Sequence, residues 1–241
     1  MGFIYGDDRF LYIATDSRKQ VFVDLMKNPK VEVASYNLIT RKWIRISGVV
    51  EKETSNEIVQ RIISAGMKAP TNDHMRDWHF IIIRDKSVID KLFSIIPEKW
   101  TEEEVNAILK DWNLKDSCQQ SAYKDAIPKQ YQMLTEASCV IIPLFKQKTD
   151  ILHPDNLSHL NGFASIWCCI ENMFLAATAE GYACTLRIPL GNEGEWSREV
   201  LGYPQEYLMP CFIGVGKPKE DAVLIKQREY SIEERIHNNV W

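Results

Sequence analysis

The sequence predicts an α+β protein in two parts, and three observations carry that reading. A run with small or apolar residues almost all round covers residues 161–181, as in a helix sunk into a core or an interface. Two apolar runs, residues 80–83 and 137–145, read as buried strands set between helix-like stretches. Residues 1–50 instead alternate like β-structure, unlike the remainder. We place the boundary so that residues 1–52 form a β segment and residues 53–241 form the body.

The elements follow in order. Residues 10–14, 31–36 and 43–50 read as strands, with a helix-like run from Lys19 to Lys27 between the first two. In the body, Thr54 and Glu57 form a candidate capping box for a helix running to Lys68. The strand at 80–83 comes next, then a helix over 87–96. Thr101 and Glu104 form a second capping box, within a polar, aromatic and helix-prone stretch over 97–135 that carries Trp100, Trp112, Tyr123 and Tyr131. After the strand at 137–145 comes the long helix, whose apolar run is interrupted by Glu171 and Asn172. Its length is near that of a membrane span, but a core or interface helix is the better reading. Residues 182–191, 200–204 and 210–218 then read as a strand, a short helix ending in a turn, and a closing strand.

Composition narrows the function. A chain of 241 residues, 45% hydrophobic and 26% charged, can bury a substantial core. Its net charge of −4 argues against a nucleic-acid partner, which would be held by clustered basic residues. The opening residues are short and acidic rather than basic then apolar, so no signal peptide is expected. Six cysteines (Cys118, Cys139, Cys168, Cys169, Cys184, Cys211) show no CxxC spacing, which fits free thiols in a cytoplasmic protein. No Ser-His-Asp set, paired-carboxylate motif or HExxH motif stands out.

The most informative segment is Ala69-Pro70-Thr71-Asn72-Asp73-His74-Met75-Arg76-Asp77-Trp78, where a hydroxyl, an amide, an imidazole and a guanidinium crowd the entry to a buried strand. Read alone, it is either a polar turn capped by a core Trp or a site for a polar ring system or phosphate. The segment resembles the flavin-binding loop of the nitroreductase family, whose commoner form reads Pro-Ser-x-x-Asn-x-Gln-Pro-Trp. Pro70 and Trp78 match, while Thr71, His74, Arg76 and Asp77 stand for Ser, Asn, Gln and Pro. The long helix, the Pro189-Leu190-Gly191 run, the Leu201-Gly202-Tyr203-Pro204 turn, the strand closing in Gly216-Lys217-Pro218 and the tail 231–241 resemble that family's C-terminal half in order.

The resemblance implies an α/β/α sandwich around a mostly antiparallel sheet, and an FMN enzyme that draws hydride from NAD(P)H. It implies ping-pong reduction of a small-molecule electron acceptor such as a nitroaromatic or quinone, in a homodimer with flavin at the subunit interface and no membrane partner. Pro70, Thr71, Asn72, His74 and Arg76 would meet the flavin, with Thr71, His74 and Arg76 at the ribityl chain and ring edge. Pro189, Leu190 and Gly191 would offer backbone to the ring, and Lys226 and Arg228 would meet the phosphate. Residues 97–135 would form a variable insertion over the substrate pocket.

The first fifty residues depart from that family, which opens with an Arg-Arg-Ser-x-Arg phosphate run. They resemble the second half of a pyridoxamine-phosphate-oxidase-like split barrel, another FMN-binding family, whose Ser-Arg-Lys segment (here Ser17-Arg18-Lys19) touches the phosphate. Arg41, Lys42 and Arg45 could imitate the missing run, or lie on a solvated edge strand. The alternative function is therefore a flavin-binding or cofactor-free protein whose catalysis has decayed with the replaced segment.

Overall fold

One strand shows how the larger part is built. In the computed structural model, β6 (Cys139–Lys146) is buried from Cys139 through Phe145. Its side chains alternate between two cores, because successive residues of a strand point to opposite faces. Cys139, Ile141 and Phe145 join Val59, Ile62, Ile166, Ile170 and Met173 on one side. Val140, Ile142 and Leu144 join Ile89, Leu92, Phe93, Leu134 and Phe212 on the other. A sheet covered on both faces by helices is the α/β/α sandwich expected from the sequence.

The structure describes residues 4–6, 11–13, 19–37, 40–50, 56–72, 74–219, 222 and 228–241. The chain divides into two compact units, Met1–Glu53 and Thr54–Trp241. In the first, β1 (Ile4–Gly6) pairs antiparallel with β2 (Leu11–Ile13). The helix α1 (Gln20–Lys27) follows, and β3 (Lys30–Asn37) pairs antiparallel with β4 (Lys42–Val49). The register sets Tyr36 opposite Trp43, with ring centroids 4.7 Å apart. Among the described residues these are two separate two-stranded sheets, so half of a split barrel is not shown. Ser17 and Arg18, the core of the expected phosphate segment, lie outside the described residues.

In the second unit, α2 (Asn56–Gly66) precedes β5 (Trp78–Ile83), followed by α3 (Lys86–Phe93), α4 (Glu102–Asp111) and α5 (Ser117–Thr135). After β6 come α6 (Asn161–Ala179), β7 (Ala183–Arg187), α7 (Glu193–Leu201), β8 (Tyr207–Leu208) and β9 (Phe212–Gly216). The sheet runs β5-β6-β9-β7 with every pairing antiparallel, and β8 extends it beside the end of β6. The helix starts obey local chemistry. Asp85 accepts from the Ser87 N–H at 2.8 Å, and Asp116 accepts from the Gln119 N–H at 3.0 Å. Thr101 and Glu104 close the expected capping box on α4. Thr54, the cap expected for α2, lies outside the described residues.

The α2–α6 crossing is close. A Cβ on Gly66 would stand 2.7 Å from Met173 Cγ and 2.9 Å from Cys169 Sγ, so only glycine fits without a shift. Arg61 on α2 grips Glu180 just past α6 through two hydrogen bonds of 2.6 and 2.9 Å. The sequence presents α6 as apolar all round, but within this chain it is only half covered. Ile166, Cys169, Ile170, Met173 and Ala177 are buried, whereas Ala164, Cys168, Glu171, Leu175 and Thr178 form an exposed stripe. The span Leu157–Ala179 is long and apolar enough to cross a membrane by length and composition. In the fold it instead carries one face of the sheet and packs along α2.

Candidate functional site

The antiparallel order puts two loops at one end of the sheet. Residues 69–77 lead into β5, and residues 188–192 leave β7; Trp78 pairs with Phe145 near the end of β6, and Arg187 pairs with Phe212 at the start of β9. The two loops lie at opposite edges, three strand spacings or about 14 Å apart.

The first loop is anchored at both ends and unsatisfied in the middle. Ala69 is fully buried and donates to the Gly66 carbonyl at 2.9 Å, and Trp78 is buried at the other end. The Asp77 carbonyl accepts from the Lys146 N–H, and its carboxylate accepts from the Tyr207 hydroxyl at 2.8 Å, which raises the Tyr207 phenol above its ordinary value. Between these anchors, Asn72 Oδ1 accepts from Asn161 Nδ2 at 3.0 Å, tying the loop to the start of α6. Pro70, Asn72, His74 and Met75 are exposed.

Two features mark this loop as built for something besides its own stability. His74 and Arg76 hold φ of 56° and 48°, the left-handed region that costs a side-chain-bearing residue about 1–2 kcal/mol. Thr71 Oγ1 and Arg76 Nε are buried without a hydrogen-bond partner. Among the described residues, a 3.4 Å contact from Arg76 Nη2 to the Ala69 carbonyl ties that guanidinium down. A buried orphan donor costs about 1–3 kcal/mol, so a hydroxyl and a guanidinium nitrogen left without partners on one loop suit a polar ligand. The ribityl hydroxyls and ring-edge acceptors of a flavin fit that set.

The second loop is the reverse, satisfied within itself. Arg187 closes β7 and Glu193 opens α7, each about 6% exposed, and they pair through Arg187 Nε–Glu193 Oε2 at 3.0 Å and Nη2–Oε1 at 2.5 Å. Glu193 Oε2 also accepts from the Leu190 N–H at 3.1 Å, and the Glu193 N–H donates to the Leu190 carbonyl at 3.0 Å. Gly191 sits in this turn at φ 54°, with open space where a Cβ would project. Within this chain both backbone groups of Leu190 have partners inside the turn. What Leu190 presents is its side chain, 41% exposed, beside exposed Ile188.

The basic candidates are dispersed. Arg228 is exposed and pairs with Asp116 at 3.3 Å. Lys226 lies outside the described residues. Arg41, Lys42 and Arg45 belong to the first unit; all three are exposed, and Arg45 pairs with Glu32 at 3.2 Å. The structure brings Pro70, Thr71, Asn72, His74 and Arg76 together on one loop and Pro189 to Gly191 on the other, and it adds residues the sequence did not single out: Asn161, Arg187 and Glu193. Gln130 on α5 joins them by accepting from Arg187 Nη1. Desolvation holds three thiols protonated, buried Cys169 and Cys211 pushed up to about 12 and half-buried Cys184 to about 11.

The family model for the nitroreductase family matches residues 50–217. The chain is 23% identical over 206 residues to a provisionally named NADH dehydrogenase/NAD(P)H nitroreductase of Archaeoglobus fulgidus, covering 85% of this chain and 96% of that protein. It is 26% identical over 176 residues to iodotyrosine deiodinase 1 of Mus musculus, covering 70% of this chain and 56% of that protein. Among solved structures, iodotyrosine deiodinase bound to FMN and 3-iodo-L-tyrosine matches with a TM-score of 0.59 at 14% identity, over 80% of this chain and 92% of that one. A BluB-like flavoprotein from Clostridium difficile 630 matches with a TM-score of 0.54 at 18% identity, over 78% and 91%. At those identities the structural likeness speaks to the fold, which is the one this sheet and its helices build.

Proposed function

The chain belongs to the nitroreductase family, and on that premise we propose that it is an FMN-dependent oxidoreductase using NAD(P)H to reduce an electron-poor small molecule such as a nitroaromatic or quinone. The observation that carries the reading is the pair of orphaned buried donors, Thr71 Oγ1 and Arg76 Nε, on the loop that matches the flavin-binding segment. Held there by Thr71 and Arg76, FMN would supply two-electron redox chemistry between a nicotinamide donor and the acceptor. This chain's residues bind and orient. Thr71 and Arg76 direct hydrogen bonds to the cofactor, Asn161 fixes the loop through Asn72, and Arg76 adds positive charge for the electron-rich edge. Exposed Met75, Ile188 and Leu190 give both loops apolar side chains suited to flat rings.

A homodimer is part of the proposal. The two loops leave opposite edges of one copy's sheet, and in the proposed dimer one copy's 69–77 loop and another copy's 188–192 loop would frame each cofactor. The exposed α6 stripe, with its 4-3-4-3 spacing over Ala164, Cys168, Glu171, Leu175 and Thr178, suits helix-on-helix packing between copies. The buried free thiols fit a reducing compartment such as the cytoplasm.

The test is the visible spectrum of the purified protein incubated with FMN, recorded before and after anaerobic NADPH and then NADH. Bound flavin that bleaches and regains colour with a nitroaromatic or quinone supports the reading. Protein that retains no flavin overturns it in favour of a decayed member of the family, and flavin that neither nucleotide bleaches removes the NAD(P)H part.

A further inference from the structure

We infer that Arg187 and Glu193 are positioning residues that hold the 188–192 loop in its cofactor-ready shape and tie that shape to α5 through Gln130. The inference rests on the flavin reading above and adds to it the residues that preform the second half of the site.

Taking two charges out of water costs as much as their attraction returns, so such a pair is a poor source of stability and calls for another explanation. Its geometry here supplies one. The two residues flank a five-residue connection, 188–192, between the end of β7 and the start of α7. Both are about 6% exposed, and they meet through two parallel N–H···O contacts, an arrangement that fixes orientation as well as distance.

The carboxylate has a second task. By accepting from the Leu190 N–H while the Glu193 N–H returns to the Leu190 carbonyl, Glu193 closes the turn from side chain and backbone together. Gly191 is thereby held at φ 54° with open space above it, and the Ile188 and Leu190 side chains stay in solvent instead of collapsing onto the core.

The remaining Arg187 nitrogen, Nη1, donates to Gln130 Oε1 on α5, the helix within the insertion expected to cover the substrate. Arg187 thus touches the loop's base, its closing carboxylate and the cover at once. A shift of α5 reaches Leu190 through two hydrogen-bonded side chains.

The test compares the wild type with Arg187→Met/Glu193→Leu, which replaces the pair by apolar groups of similar volume, a change that is commonly neutral in stability. FMN is titrated by flavin fluorescence, thermal unfolding is followed without FMN, and hydrogen exchange is read on the apo protein over the peptide containing Leu190. We expect FMN binding about tenfold to a hundredfold weaker, the worth of one charge-assisted hydrogen bond. We also expect Leu190 exchange about tenfold faster or more, with a melting temperature within about 4 °C of wild type.

A purely structural pair would move the melting temperature and leave FMN affinity in the folded protein unchanged, and that result overturns the inference. If the double variant does not fold, Glu193→Gln keeps volume and one acceptor oxygen and takes the same titration, with weaker FMN binding expected and unchanged binding overturning. A wild type that binds no FMN sinks the flavin reading instead, while the exchange arm still reports whether Glu193 holds Leu190. Equal exchange in wild type and variant overturns the clamp itself.

Discussion

The two loops at the end of the sheet differ in how their polar groups are spent. The 69–77 loop keeps a hydroxyl and a guanidinium nitrogen buried without partners and holds two side-chain-bearing residues at positive φ. The 188–192 loop has its turn closed by a buried carboxylate and its only positive φ at a glycine. The first stores free energy that a ligand can release; the second is already relaxed and presents shape. Affinity should therefore answer to Thr71 and Arg76, and geometry to Arg187 and Glu193.

The largest effect should come from breaking the second loop's pair on one side. Arg187→Ala leaves the Glu193 carboxylate buried and uncompensated, and should destabilise the protein by about 3–5 kcal/mol in chemical denaturation, far more than the apolar double replacement. Breaking the first loop should go the other way. Thr71→Val removes an orphaned hydroxyl at nearly constant shape, so the apo protein should gain about 1 kcal/mol while FMN binding weakens about tenfold. Opposite signs for stability and affinity at one residue are the mark of a preformed site.

A smaller effect is expected at His74, whose exposed ring sits at φ 56°. Glycine accepts that backbone without the Cβ clash, and after its own entropic cost His74→Gly should stabilise the apo protein by roughly 0.5–1 kcal/mol. A loss of stability on denaturant titration would mean that His74 makes a contact worth more than its strain.

The smallest effect concerns the frame from which the first loop hangs. The Arg61 side chain, by hydrogen bond first and charge second, holds the Glu180 carboxyl below its ordinary 4.5. A depressed carboxylate contributes stability above its unfolded value and loses it as pH falls through its folded one. The stability difference between wild type and Glu180→Gln should therefore be present at pH 7 and fade below about pH 4.5. A difference that persists at pH 3 would place the role of Glu180 in packing.

What the sequence could and could not reveal follows from the range of the interactions. The Thr101–Glu104 box, the β6 run and the Gly202 turn after α7 rest on neighbours a few residues apart, and each stands where local chemistry put it. The 69–77 loop was recognisable through Pro70 and Trp78, but nothing in its residue types announced that His74 and Arg76 would adopt positive φ. The Arg187–Glu193–Gln130 set joins residues 57 positions apart across the fold, and no periodicity reports such a partner. Pro128 lies inside α5, where helix propensity alone would have ended the helix and tertiary packing through Ile127 and Leu134 overrides it. The exposed face of α6 was hidden for the opposite reason: hydrophobicity marks what will be buried, but not whether the covering surface belongs to the same chain.

The most direct test of the account is the thermal midpoint of the wild type and of Thr71→Val, each measured without FMN and at about one hundred times the wild-type dissociation constant. The account predicts a wild-type stabilisation of about 2.7 kcal/mol, a rise of roughly 5–11 °C, and a variant that starts higher but rises less. A wild type whose midpoint does not move at any FMN concentration, or a variant that rises as far as the wild type, would contradict it.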